Sequence, residues 1–120
     1  MKHIHTITHI EIPAPNLKVA MEFYSKVFEW NIELVTADHY AFFTIGHIGS
    51  GGGLDASLMP AGKKTGPQLT IDVENIEKAI EMIKEHGGTL VQGKTEIPGH
   101  GFYCIFTDPN HNYLQLHSRE

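Results

Sequence analysis

NLKVAMEFY, residues 16–24, and NIEKAIEMI, residues 75–83, are two versions of one pattern set 59 residues apart (75 less 16). Asn, Ala and Glu match identically, and every apolar position meets another apolar one except Val19, which meets Lys78. Each stretch opens on an Asn, whose short side chain can accept from the free N–H groups of a first helical turn. Leu17, Ala20, Met21, Tyr24 and Phe28 recur at the spacing of one helix face, so the first copy predicts a helix from Leu17 to Glu29. The second predicts a helix from Asn75 to His86, stopped by Gly87 and Gly88.

Strands flank both copies in the same order. TITHIEI, residues 6–12, nearly alternates polar and β-branched apolar residues, which predicts a strand with Ile10 and Ile12 on one face and His9 and Glu11 on the other. Further strands are expected at 32–36, 40–45 and 52–57, with Gly46, Gly49 and Gly51 allowing a turn between the last two. After a Pro-, Gly- and Lys-rich loop from Met59 to Pro67, the second half predicts strands at 68–73, 89–92, 102–107 and 113–117. The turn DPNHN, Asp108 to Asn112, joins the final pair. Aligned helices, caps and flanking strands imply two copies of βαβββ, the first about residues 1–58 and the second about 66–120. The expected fold is α+β: one domain of two βαβββ modules pairing into a curved mixed sheet around a cleft.

Composition fits one folding unit and narrows the function classes. The chain has 120 residues, 41% hydrophobic and 19% charged, an ordinary globular balance. Its net charge of −5 repels a nucleic acid, and no Lys or Arg run offers a local exception. The start lacks the apolar core of a secretory signal and no stretch approaches the roughly 20 apolar residues of a membrane span, so a cytoplasmic protein without a membrane partner is expected. Cys104 is the one cysteine and lies in the apolar run FYCIF, which reads as a small buried hydrophobe rather than a nucleophile. No exposed apolar stripe of the kind a pure interaction domain would need is legible.

The two ends of the chain carry a resemblance. HIEIPAPNLKVAMEFYSKVFEW is similar to the opening of vicinal oxygen chelate proteins, with Glu29 where that family usually has Gly. TEIPGHGFYCIFTDPNHNYLQLHS resembles the family's closing segment, with His111 in place of a common Gly. The superfamily includes glyoxalases, bleomycin-resistance proteins and extradiol dioxygenases. The resemblance implies a cleft in which a divalent metal (Zn, Ni, Mn or Fe) binds two neighbouring oxygens of a small organic molecule. It also implies a homodimer, whose pairing would protect open sheet edges.

Carried over residue by residue, the family's four ligand positions fall on His9, Gln68, Gln115 and Gly53. One imidazole and two neutral amides stand where catalytic relatives supply three or four strong donors, and Gly53 supplies none. Gln115 in place of Glu also removes a candidate base, which counts against glyoxalase I activity. Two residues along each strand, Glu11, Asp55, Thr70 and His117 share the faces of these four positions. Glu11 is the candidate catalytic group, and Asp55, Thr70 and His117 are the candidate ligand-binding groups. Either a displaced metal site, an acid–base pair, a polar ligand lining or a solvated rim fits that placement. Two functions therefore stay open: an enzyme of the glyoxalase-like type, possessing a weak metal site or none, and a non-catalytic protein that binds or sequesters a small molecule.

Other signals carry less. His3, His5, His39, His47, His86, His100 and His111 fall at a terminus, at turns or at element ends, where a solvated His is commonplace. Gly51, Gly53 and Ala56, with Asp72 downstream, satisfy a dinucleotide-binding spacing, but no helix is signalled after them. Among Phe42, Phe43, Phe102, Tyr103 and Phe106 only one face's worth is expected to reach a cleft, and Trp30 is expected to pack.

Overall fold

Asn16 and Asn75 both sit in extended backbone ahead of a helix, and their side chains accept from the N–H groups of Val19 and Lys78 at 3.3 and 3.0 Å. Each bond satisfies a donor that the first helical turn would leave orphaned. In the computed structural model, which describes residues 2–46 and 50–120, the helices are α1 (Leu17–Phe28) and α2 (Ile76–Glu85). The strands of the first half are β1 (Ile10–Pro13), β2 (Asn31–Thr36), β3 (Tyr40–Ile45) and β4 (Ser50–Asp55). Those of the second are β5 (Thr70–Asp72), β6 (Thr89–Ile97), β7 (Gly101–Thr107) and β8 (Tyr113–Ser118). The fold is α+β, with two four-stranded mixed sheets ordered β1-β4-β3-β2 and β5-β8-β7-β6.

The sheets repeat each other in register as well as in order. β1 runs parallel to β4 with Glu11 beside Gly53 and Pro13 beside Asp55, and β5 runs parallel to β8 with Thr70 beside Gln115 and Asp72 beside His117. The approach of β1 to β4 requires glycine, because a Cβ at Gly52 would be driven into the backbone of Ile10.

Several boundaries differ from those expected, each for a local reason. The first strand begins at Ile10 rather than at residue 6, its pairing with β4 opening at Ile10 beside Gly52. β5 is shorter than 68–73, yet its flanks keep ladder bonds: Gln115 N–H donates to the Leu69 carbonyl and Val73 N–H to the His117 carbonyl, both at 2.9 Å. β4 covers 50–55 instead of 52–57, since Asp55 turns the chain by accepting from Ser57. β6 continues past Gln92 to Ile97 through two register shifts, which absorb Gly93 without ending the strand. Of the turn expected between β3 and β4, Gly46 is left-handed (φ +64) and Gly51 lies within β4, while Gly49 and the neighbouring His47 lie outside the described residues.

One core joins the halves. Ile12, Phe43 and Leu54 from the first sheet, Phe106, Leu114 and Leu116 from the second, and Phe23, Tyr24 and Ile83 from the helices belong to one buried cluster. Burying a side chain of this size contributes about 1.5–3 kcal/mol. Trp30 stacks between Tyr24 and Phe43 at 5.0 and 4.6 Å, so it packs, as expected. Phe23 and Phe28 of α1 reach across to Phe106 of β7 at 6.3 and 6.1 Å.

The turn between β7 and β8 ties the halves with polar bonds. The Asn110 side chain accepts from Asn16 N–H at 2.7 Å and donates to the Asn16 carbonyl at 3.0 Å, while Asn112 donates to the Pro13 carbonyl at 2.6 Å. At its centre the buried Asp108 carboxylate accepts from Tyr24, Asn110 N–H and both the N–H and side chain of Asn112. The clasp therefore holds the start of α1 against the second sheet.

β2 carries two exposed apolar residues. A register shift between Leu34 and Thr36 leaves Leu34 and Val35 about half exposed on an edge strand. Among the described residues, no helix is long and apolar enough to cross a membrane.

Candidate functional site

The polar residues of β1 and its approach meet a tyrosine from β3. His9 Nε2 contacts Glu11 Oε2 directly, and the Tyr40 hydroxyl donates to the same Glu11 oxygen at 2.7 Å while lying 3.3 Å from His9 Nε2. The sheet alternation that buries Ile12 turns Glu11 the other way, and pairing of Tyr40 with Asp55 brings the phenol over β4 to reach it. Gly53 makes the meeting possible, because a Cβ there would be driven into the Tyr40 hydroxyl and Glu11 Oε2. Phe42 stands on the same face, 45% exposed, with its ring edge-on to both His9 and Tyr40.

The electrostatics keep Tyr40 a donor. Loss of surrounding water, then the bond to Glu11 and the charges of Glu11 and Asp55, push its phenol up to about 12. Asp55 is held below the usual carboxylate range, first by the Ser57 hydroxyl at 2.6 Å and then by Ser57 N–H at 2.8 Å. Asp55 therefore stays ionised beside the Tyr40–Glu11 pair.

In the second sheet, the Thr70 hydroxyl donates to Gln115 Oε1 at 3.3 Å, and Gln68 donates to the Gly66 carbonyl at 3.3 Å. His117 donates from Nε2 to the His100 carbonyl at 2.6 Å and places Nδ1 3.6 Å from Asp72. Beside them Gln92 donates to the Tyr103 hydroxyl at 2.8 Å and to Thr95 at 3.2 Å.

The structure thus sorts the expected residues into two groups. His9 and Glu11 meet beside the first sheet, with Asp55 two residues further along β4 than Gly53, whereas Gln68, Thr70, Gln115 and His117 belong to the second half. The donors at the family's ligand positions are each engaged locally, His9 with Glu11 and Tyr40, Gln68 with Gly66, and Gln115 with Thr70. Among the described residues, no three His, Cys, Asp or Glu side chains stand together as a metal-holding group. Within one chain these side chains are engaged with neighbours rather than gathered around one point.

Two cavities flank β1. One, of about 390 Å³, lies between β1, the 61–69 segment and the start of β8, and Glu11 and Gln68 are among its lining residues. The other, of about 290 Å³, is bordered by His9, Phe43 and Thr70 and so touches both sheets.

Tyr40 is the site residue that the sequence reading missed. Its signal was the β3–β4 hairpin: once Ile45 pairs with Ser50, antiparallel register sets Tyr40 opposite Asp55, two residues along from Gly53. The dinucleotide-like spacing is set aside by the structure, since Gly51 and Gly53 lie inside β4 rather than opening a helix. Cys104 is fully buried and burial pushes its thiol up, in keeping with a packing role. Of the strand aromatics, Phe43 and Phe106 are buried, Phe102 and Tyr103 partly so, and Phe42 is exposed.

Comparison with known proteins gives one family match. The model of the Glyoxalase/Bleomycin resistance protein/Dioxygenase superfamily matches residues 6–116. A glyoxalase/bleomycin resistance protein/dioxygenase family enzyme from Burkholderia phytofirmans PsJN superimposes with a TM-score of 0.76 at 17% identity, covering 94% of this chain and 98% of its own. A mutant of the fosfomycin resistance protein FosX from Listeria monocytogenes, complexed with Mn(II) and 1S,2S-dihydroxypropylphosphonic acid, gives 0.79 at 17% identity, covering 98% and 93%. A glyoxalase-related enzyme from Fulvimarina pelagi gives 0.74 at 14% identity, covering 96% and 88%. At these identities the likeness is one of fold. No curated protein is significantly similar to the chain in sequence.

Proposed function

Because the chain belongs to the glyoxalase/bleomycin resistance protein/dioxygenase superfamily, we propose that it binds a small organic molecule beside β1, with Glu11 as the anchor and with His9 and Tyr40 fixing that carboxylate. The observation that carries this reading is that Glu11 does two things at once. It lines the larger cavity, and its Oε2 is held by His9 and by Tyr40 at 2.7 Å. A carboxylate already oriented by its neighbours loses little side-chain freedom when a ligand arrives. Asp55, Thr70 and His117 are proposed as the outer polar lining. Ligand screening by thermal shift tests the reading: a hit should lose its shift in Glu11→Gln, and an undiminished shift sinks the anchor.

A second reading, that of an enzyme, is favoured by the direct contact between His9 and Glu11. An imidazole nitrogen against a carboxylate oxygen is an acid–base pair, in which Glu11 can accept a proton from a bound molecule and His9 can steady the charge. Turnover of a bound ligand, lost in Glu11→Gln while binding persists, selects this reading over simple sequestration.

The ion question is separate. The FosX relative holds Mn(II), and His9, Gln68 and Gln115 are the residues here that would hold a divalent ion. Elemental analysis of the purified protein, with thermal-shift titration of Zn(II), Ni(II), Mn(II) and Fe(II), is the test. Stoichiometric metal lost in His9→Ala assigns the ion to that set; no metal and no shift leave the Glu11 anchor metal-free. We also propose a homodimer, because each sheet ends in two open edges and β2 exposes Leu34 and Val35. Sedimentation at two concentrations checks it.

A further inference from the structure

The larger cavity has a one-sided chemistry. Ile7, Ile12, Pro67, Leu69 and Leu114 supply apolar walls, and a volume of about 390 Å³ lies in the range of small-molecule sites. The polar groups on its wall are unequal. One N–H of the Gln68 amide is given to the Gly66 carbonyl, and both of Asn112 to Pro13 and Asp108. Thr65 gives its hydroxyl to the Gly62 carbonyl and Tyr113 adds a neutral phenol, so the one charged group among the described lining residues is Glu11.

The charges around it point the same way. Among the described residues no Lys or Arg lines the cavity, although Lys63 and Lys64 are in the adjoining linker. The groups facing Glu11 are His9, Tyr40 and, one step further along β4, Asp55. Tyr40 is neutral. A protonated His9 offsets one carboxylate, and Asp55 remains as a second.

We infer that the occupant of this cavity is an apolar molecule with a hydrogen-bond-donating head, cationic or neutral, and that anionic ligands of the same size are rejected. The inference rests on the reading of Glu11 as anchor. A donor head replaces the water lost by the carboxylate, whereas an anion would meet it with like charge and find no Lys or Arg on the wall in compensation.

The test holds the apolar body constant and varies the head. Benzylamine, benzyl alcohol, benzoate and phenylphosphonate are titrated into the full chain, and the backbone amides of Ile10, Leu69 and Leu114 are followed by NMR. Benzylamine and benzyl alcohol should shift these amides, with benzylamine binding about tenfold or more tightly than either anion, the scale of one close charge pair near a surface. In Glu11→Gln the amine should lose its advantage over the anions. Benzoate or phenylphosphonate binding as tightly as benzylamine at these amides overturns the head-group inference and leaves the cavity as a binding site. Amine affinity unchanged in Glu11→Gln overturns the anchor instead. Silence of these amides to all four probes overturns both. The head-group comparison is made on the unaltered protein, so it stands even if the variant fails to fold.

Discussion

Tyr24 of α1 donates its hydroxyl to the Asp108 carboxylate at 2.7 Å, a bond between two buried groups 84 residues apart. It joins the helix of the first half to the closing turn of the second, at the point where Asn110 and Asn112 also hold the backbone of Asn16 and Pro13. The repeat supplies two similar sheets, and this clasp is the asymmetric element that fixes one half on the other. Its position also bears on the site, because Pro13 ends the strand that carries Glu11.

Tyr24→Phe removes the donor and leaves the carboxylate buried with one partner fewer. A hydrogen bond to a charged group contributes about 1.5–3 kcal/mol, so the variant should unfold at lower urea with an unchanged m-value. A loss below about 0.5 kcal/mol would mean that water or Asn112 replaces the phenol, and that the clasp is held by its asparagines.

The same carboxylate should titrate in the opposite sense to Asp55. Burial pushes Asp108 up, against the pull of Tyr24, Asn112 and Asn110, so the folded state holds its proton more tightly than the unfolded chain does. Its stabilising contribution is full below the ordinary carboxylate value and is lost as pH rises through the raised folded value. For Asp55, lowered first by the Ser57 hydroxyl, the contribution is present above the ordinary value and is lost as pH falls through the depressed one. Carbon NMR of the two carboxyls should place Asp108 above the ordinary 3.8 and Asp55 below it. The reverse order would show that the hydrogen bonds outweigh burial at Asp108.

The sequence carried the fold because local and long-range signals agreed. Asn16, Asn75 and the apolar faces behind them specify two helices independently of tertiary contacts, and the copied pattern specifies what surrounds each. Strand ends were less legible, since the start of β1 depends on its pairing with β4, and β6 passes Gly93 where β7 supplies a bulged register. At the site, alternation put Glu11 on the face of His9 and Asp55 on that of Gly53. It could not reveal Tyr40, which reaches Glu11 across a strand, nor that His117 would turn to His100 and Asp72.

Glu29 and His111 mark a different kind of departure. Both stand where the family resemblance puts glycine, and both adopt left-handed backbone, with φ of 58° and 71°. Such a conformation costs a residue with a Cβ about 1–2 kcal/mol, and the extra unfolded-state freedom of glycine takes back part of that gain. Glu29→Gly and His111→Gly should each raise the melting temperature by a few degrees, about 0.5–1 kcal/mol in stability. Two neutral or destabilising results would show that the side chains repay the strain through contacts of their own.

Gly53 offers the sharpest separation of site from scaffold. A Cβ there meets side chains, first Tyr40 and then the flexible end of Glu11, whereas a Cβ at Gly52 meets the backbone of Ile10. Overpacking typically costs about 1–3 kcal/mol, so both Gly53→Ala and Gly52→Ala should destabilise, but only the former can be relieved by truncating its neighbour. In a Tyr40→Ala background the cost of Gly53→Ala should fall by about 1 kcal/mol or more, while that of Gly52→Ala stays the same within about 0.5 kcal/mol. Equal costs in both backgrounds would mean that Gly53 serves the β1–β4 pairing rather than the phenol. The missing side chain at the fourth ligand position would then be a requirement of the sheet, and the seat of Tyr40 over Glu11 an incidental consequence of it.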